Sequence, residues 1–394
     1  MKKRVSATIF LLVLAVTVPS AQGQNFTALH EFNGANDGAN PEAKLLRDAA
    51  GNLYGTTFAG GSNGEGTVYK IDSTGTESVL FTFSVTVSGG FPASSLIQDQ
   101  AGTLYGTADG GPGGAGVVFK ISPQGEETIL FAFQGCRLCH NPRVPRGGLL
   151  MDKFGNLYGT TLFGGTGSCQ AGCGTIYRLD TAGKLHVLYS FTGGADGSQP
   201  FGPLVPDANG NLYGVAQSGG DLACSEHSQA GCGTVFRLAS NGRVTILHTF
   251  HGADGATPQP DLLLDTAGGN LYGATARGGT SENGTVFKIS SNGKYTVLHR
   301  FTGADGSTPN GGLVLDEAGN LFGTAQTGGR GGDGTAFAMN PAGQVKVLHH
   351  FNGDLDGAFP LGGLIRDEVG HLIGTAVSNG LINQQNGDVF EIRP

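Results

Sequence analysis

Beyond its first two dozen residues, the chain confines its apolar positions to short runs, and four kinds of run follow one another in fixed order. The first reads Leu-Leu-x-Asp or a close variant, at 45–48, 149–152 and 313–316. A turn of the Asp-x-x-Gly-Asn type leads to the second, at 53–57 and 157–161. A glycine-rich loop precedes the third, seen as Gly66-Thr67-Val68-Tyr69-Lys70-Ile71 and again as Gly284-Thr285-Val286-Phe287-Lys288-Ile289. A second tight turn, such as 72–75, gives the fourth, at 79–83 and 297–301. Runs of this length, rich in β-branched and aromatic residues and bounded by Gly, Asn, Asp and Ser, predict antiparallel strands.

The set of four recurs. Gly-Asn-Leu-Tyr-Gly and its near copies begin at Gly51, Gly102, Gly155, Gly210, Gly269, Gly319 and Gly370, a mean spacing of about 53 residues that belongs to propellers and solenoids. Four strands per period match one propeller blade. The last period holds its third strand (387–392) and lacks a fourth, while a fourth-type run, Thr27-Ala28-Leu29-His30-Glu31-Phe32, stands before the first full period. A ring closes if that run completes the last blade, and closure leaves no open sheet edge. The sequence therefore predicts an all-β, seven-bladed β-propeller over 24–394 as a single domain. A stacked β-solenoid is the alternative, and it would carry polar, atypical caps.

The Asp-x-x-Gly-Asn-Leu-Tyr-Gly-Thr, Gly-Thr-Val-Phe-Lys-Ile and Leu-His-x-Phe segments resemble the GloVer tandem repeat, named for Gloeobacter and Verrucomicrobia. The resemblance covers about residues 26–394. It implies an exported bacterial protein, a class often bearing varied C-terminal anchors, and implies no reaction and no catalytic residues. This chain ends on Pro394 with no hydrophobic tail. The segment Asp-x-x-Gly-Asn-Leu-Tyr is also similar to blade motifs of lyase-like and sugar-dehydrogenase-like propellers.

Composition changes the picture in two ways. Residues 1–23 read as a signal peptide, with Lys2, Lys3 and Arg4 at the start, an apolar run from Ile9 to Val18, and Ala21-Gln22-Gly23 as the cleavage site. No later stretch is long and apolar enough to span a bilayer. A periplasmic or extracellular protein, expected as a monomer, follows. Removing the leader takes the formal charge from −8 to −11, a field of the wrong sign for nucleic acid or anionic membranes. The 71 glycines sit at fixed repeat positions, which argues for turns and against low complexity.

Several repeated residues invite chemistry. The aspartate closing the first strand recurs as Asp48, Asp99, Asp152, Asp207, Asp265, Asp316 and Asp367, where a carboxylate can accept backbone N–H bonds across the following turn. His30, His248, His299 and His349 share their fourth-strand position with Phe81, Phe131 and Tyr189, so that position reads as an aromatic packing slot. Asp-Gly-x-x-Pro recurs from Asp37, Asp196, Asp254, Asp305 and Asp356, between the fourth strand of one blade and the first of the next. On the same face as the loops between second and third strands, these five carboxylates read first as turns whose Asp, Gly and Pro favour the required backbone angles; a ligand-binding rim for a cation or a polar ligand such as a glycan is the alternative, and any site is expected on this face.

The six cysteines, an even number in an exported chain, predict disulfides. Cys169 and Cys173 share one loop, Cys224 and Cys232 the equivalent loop of the next blade, and Cys136 and Cys139 replace an Asp-Gly turn. Pairing within each loop is the simplest scheme, although Cys136–Cys139 would be strained and cross-loop pairs among the first two sets are open. Cys136-Arg137-Leu138-Cys139-His140 also spells a c-type haem attachment motif. No other cofactor and no metal is expected. Zinc-protease helices, phosphate loops and EF-hands are absent from the sequence.

Strong repetition without one privileged acid, base or nucleophile points to a non-enzymatic binding or scaffold module for an extracellular or envelope polysaccharide, or for a protein. The rival is a propeller-type polysaccharide lyase or hydrolase using blade-specific residues such as Arg143, Arg146, Arg366 or His371. A haem-bearing electron carrier is the third reading.

Overall fold

The computed structural model describes residues 25–135, 141–224, 231–353, 356–378 and 386–394. The leader at 1–23 and the Cys136, Cys139 and His140 segment lie outside these described residues. Seven antiparallel sheets follow one another along the chain, each running from an inner strand to an outer one. Blade 1 is typical, with Leu46–Arg47, Leu53–Thr57, Thr67–Ile71 and Glu77–Thr82 in spatial order. Blade 7 takes Ile365–Arg366, Leu372–Ala376 and Asp388–Arg393 from the C-terminal end and Asn25–Glu31 as its outer strand. The N-terminal run closes the ring as its sequence predicts, and the open solenoid is ruled out.

Five inner strands are shorter than their apolar runs and pair over only two residues, whereas that of blade 4, Ser198–Pro206, runs over nine. Blade 5 departs further: its inner edge is split into Ala256–Pro258 and Leu263–Asp265, both paired to Asn270–Arg277.

Each outer strand carries a β-bulge at the leucine before the aromatic slot, as where Ile176 faces Tyr189, Tyr177 faces Val187, and Leu188 is left over. The register slip recurs in all seven blades. It turns the slot residue and the phenylalanine two places later toward the neighbouring blade. Phe32, Phe83, Phe133, Phe191, Phe250, Phe301 and Phe351 are almost fully buried. Each meets its own slot ring edge-on, as His299 meets Phe301 at 4.9 Å, and then a third-strand ring of the next blade, as Phe301 meets Phe337 at 5.2 Å. Burying a phenylalanine contributes about 1.5–3 kcal/mol, so this girdle supplies much of the blade-to-blade adhesion.

A backbone clasp reinforces it. The residue before each repeat proline (Asn40, Phe91, Val144, Gln199, Thr257, Thr308, Phe359) has φ between 55° and 59°. That left-handed conformation costs non-glycine residues on the order of 1 kcal/mol or more. It aims each N–H at the preceding blade, as Phe91 donates to the Glu65 carbonyl at 2.8 Å and Asn40 to that of Asn386 at 2.9 Å. The glycine following each acceptor packs on the proline itself: a methyl at Gly66 would sit 2.8 Å from Pro92 Cδ, and one at Gly284 2.6 Å from Pro309 Cδ. The glycine of Gly-Thr-Val and the proline of Asp-Gly-x-x-Pro are thus two halves of one joint.

Candidate binding site at the central channel

Repeat aspartates on the face of the short first-to-second strand turns are occupied structurally. Asp48 Oδ1 accepts the N–H groups of Ala50 and Asn52 at 2.9 Å, and Oδ2 accepts from Asn52 Nδ2 at 2.7 Å and Tyr54 Oη at 3.1 Å. Burial would raise its pKa, but these donors hold it below the usual carboxylate value.

The aspartates of the Asp-Gly turns lie on the opposite face, beside the outer strands. Asp254 accepts from His248 Nε2 at 2.9 Å and from the His251 N–H at 2.8 Å. Asp305 accepts from His299 Nε2 at 2.8 Å and the Thr302 N–H at 2.8 Å. Asp196 takes the Tyr189 hydroxyl at 2.9 Å, Asp356 takes His349 Nε2 at 2.9 Å, and Asp37 lies 3.4 Å from His30 Nε2. For Asp254 and Asp305, burial pushes the pKa up while these donors pull it below the usual value. With Tyr189, His248, His299 and His349, the aromatic slot and the turn carboxylate are therefore one hydrogen-bonded unit. The sequence held the signal: blades whose slot is His or Tyr are followed by Asp, whereas Phe81 is followed by Ser88 and Phe131 by the cysteine segment.

None of these five carboxylates lines the central channel; a different set converges there. After each repeat proline comes one residue that differs in every blade: Glu42, Ala93, Arg146, Phe201, Gln259, Asn310 and Leu361. Three positions further on, the residue is Leu in all seven. All seven variable residues line one axial cavity of about 190 Å³. Below it the channel continues as a space of about 270 Å³ walled by Leu45, Leu96, Leu149, Leu262 and Leu313. The constant leucine belongs to the fold, and the variable residue faces the space a ligand would enter.

The mouth is polar on an aromatic flank. Arg146 Nε donates to Asp109 Oδ2 at 2.6 Å, its guanidinium lies 5.9 Å from the Phe58 ring centre, and Phe58 packs on Phe91 at 5.3 Å. Burial raises the pKa of Glu42, with Arg146 opposing and Asp109 adding to the rise. Burial likewise raises Asp109 against the pull of Arg146. Asn310 Nδ2 donates to Gln326 Oε1 at 2.7 Å, and the buried Gln259 donates to the Thr257 carbonyl at 2.9 Å. Of the four blade-specific residues singled out from sequence, Arg146 alone reaches the mouth. Arg143 donates to the Ala171 carbonyl at 3.0 Å, and Arg366 and His371 belong to the turns of the other face, where His371 Nδ1 lies 3.3 Å from Asp367.

Two disulfides close locally, Cys169–Cys173 and Cys224–Cys232, in the second-to-third strand loops of blades 3 and 4. Among the described residues no group of His, Cys, Asp and Glu is arranged to hold a metal ion.

These repeats match the Gloeobacter/Verrucomicrobia repeat over residues 13–166, 138–314 and 222–394. The chain belongs to that family. No curated protein matches this GloVer chain. Among solved structures it is similar to virginiamycin B lyase from Staphylococcus aureus (TM-score 0.60, 11% identity, covering 94% of this chain and 99% of that one). It is similar also to a streptogramin B lyase (0.58, 14% identity, 93% and 97%). A third likeness is to the extracellular domain of a hybrid two-component system from B. thetaiotaomicron (0.56, 12% identity, 94% of this chain and 41% of that one). At such identities the likeness shows the fold alone, and GloVer repeats build the same propeller.

Proposed function

We propose that this GloVer propeller is an exported, non-enzymatic binding module that takes an extracellular or envelope polysaccharide at the mouth of its central channel. The observation that carries the reading is the ring of seven unlike residues at one repeat position, all facing one cavity. A position that served only packing would repeat as the proline before it and the leucine three places on do. Amide, carboxylate and guanidinium groups beside phenylalanine faces suit a hydroxylated ring with one apolar side. The two disulfides fit an oxidising compartment. Calorimetry of the oxidised protein against cello-, xylo-, laminari- and galacturono-oligosaccharides tests this. Saturable binding that weakens in Arg146→Ala supports it, and no binding to any of these probes overturns it.

A second reading, a lyase or hydrolase acting at the same mouth, draws on Glu42. Its burial-raised carboxyl beside Arg146 is the kind of group that can exchange a proton with a substrate. Release of new reducing or unsaturated ends by the pure protein, abolished by Glu42→Gln, favours that reading over binding alone.

A further inference from the structure

We infer that Lys44 and Asp261 grip a single sugar ring through its hydroxyl groups inside the channel, an inference that rests on the glycan-binding reading above. Both residues line the mouth and the deeper space. They come from blades 1 and 5, three blades apart in a ring of seven and so nearly opposite. Among the described residues neither makes a hydrogen bond or an ion pair with any other side chain; the Lys44 charge reaches Asp261 only through space.

The local backbone is specialised for this placement. Among the described residues, apart from the seven that precede repeat prolines, only Asp261 and Glu282 have a positive φ without being glycine, and Asp261 holds 64°. It stands where the blade 5 inner edge is interrupted between Ala256–Pro258 and Leu263–Asp265. The equivalent residue is glycine in blades 3, 6 and 7 (Gly148, Gly312, Gly363). A methyl at Gly312 would lie 2.6 Å from Asp261 Cβ, so the aspartate occupies room that the neighbouring blade leaves free. Burial pushes the Asp261 carboxyl up, and Lys44 opposes the rise.

An ammonium only donates and a carboxylate only accepts. They stand too far apart to satisfy each other, and a ligand completes both when it offers acceptors to one and donors to the other. Adjacent sugar hydroxyls do both. A mouth of about 190 Å³ is below the roughly 300–1,000 Å³ of pockets for drug-sized ligands, which suits one ring at a time.

The test is calorimetry of wild type, Lys44→Met and Asp261→Asn with the same oligosaccharides, and with glycine as a small zwitterion. Asparagine tolerates the left-handed backbone, and unchanged melting temperatures establish that the variants fold. We expect each variant to weaken the tightest oligosaccharide about tenfold or more, the loss typical of a hydrogen bond to a charged group. Wild-type affinity in both variants overturns the inference while leaving glycan binding in place. Binding of glycine at the pair, displaced by no oligosaccharide, overturns it too. No binding of any oligosaccharide to wild type removes the glycan reading and this inference with it.

Discussion

An aspartate that appears five times in one turn looks like a ligand ring, yet four copies accept a hydrogen bond from the ring or hydroxyl of their own slot residue, and backbone N–H groups hold Asp37, Asp254 and Asp305. Asp305→Ala should therefore cost about 1–3 kcal/mol, because it leaves His299 and the Thr302 N–H without their partner. The double change His299→Phe with Asp305→Ser, which copies the Phe81 and Ser88 pairing, should recover much of that loss in urea unfolding. Equal destabilisation by the single and the double change would show that the pair is not one unit. At this scale the sequence was partly legible. Alternation and composition identified the aromatic slot, but its partner lies six or seven residues away across a turn, and only a blade-by-blade comparison of co-occurrence exposes it.

Strands were the most legible elements, since the apolar runs of the second and third strands coincide closely with Leu53–Thr57 and Thr67–Ile71. What the pattern could not supply was the joint between blades, because the glycine and its proline partner sit in different periods. Gly284→Ala should lower the melting temperature by several degrees, for it adds a methyl against Pro309 at a residue with φ 89°. Gly387→Ala acts at the joint with Pro41 that closes the ring and should lower it at least as far. A change of less than one degree in both would refute the clasp. Half-buried Glu77 and Glu127 and the buried Asp388 give a pH signature. Burial pushes Glu127 up to about 7; burial, then Asp37, pushes Glu77 up to about 7; burial, then Glu31 and Asp356, pushes Asp388 up to about 8. A carboxyl whose pKa is raised by folding favours the folded state most below its unfolded value, near 4, and that contribution is lost as pH rises toward 7–8. Burial lowers the pKa of His30, His349 and His350, which adds stability only up to about pH 6.5; above that, melting temperature should fall toward about pH 8, and Glu127→Gln, Glu77→Gln and Asp388→Asn should each flatten the fall. A slope unchanged by all three contradicts these assignments.

On the scale of the whole molecule, the ring is closed without a covalent link, by Asn25–Glu31 pairing with Asp388–Arg393. Deleting residues 24–32 should abolish the single cooperative melt, because it removes the outer strand of blade 7 together with the buried Phe32; an unchanged melt would contradict ring closure. Closure was readable from the leftover fourth strand at the N-terminus, but the channel mouth was not. Repetition drew attention to what recurs, whereas the channel mouth is built from the one inner-strand position that never does, from Glu42 in blade 1 to Leu361 in blade 7. Arg146 stood out in sequence as a charge that broke the local pattern; Glu42, Gln259 and Asn310 did not, being ordinary polar residues after a proline. The most direct test is a crystal structure of the oxidised protein with the tightest-binding oligosaccharide. A sugar ring is expected in the channel mouth, touching Arg146, Gln259 or Asn310, and Lys44 and Asp261. A sugar bound at the outer rim beside Asp254 and Asp305, with the channel holding none, would contradict it.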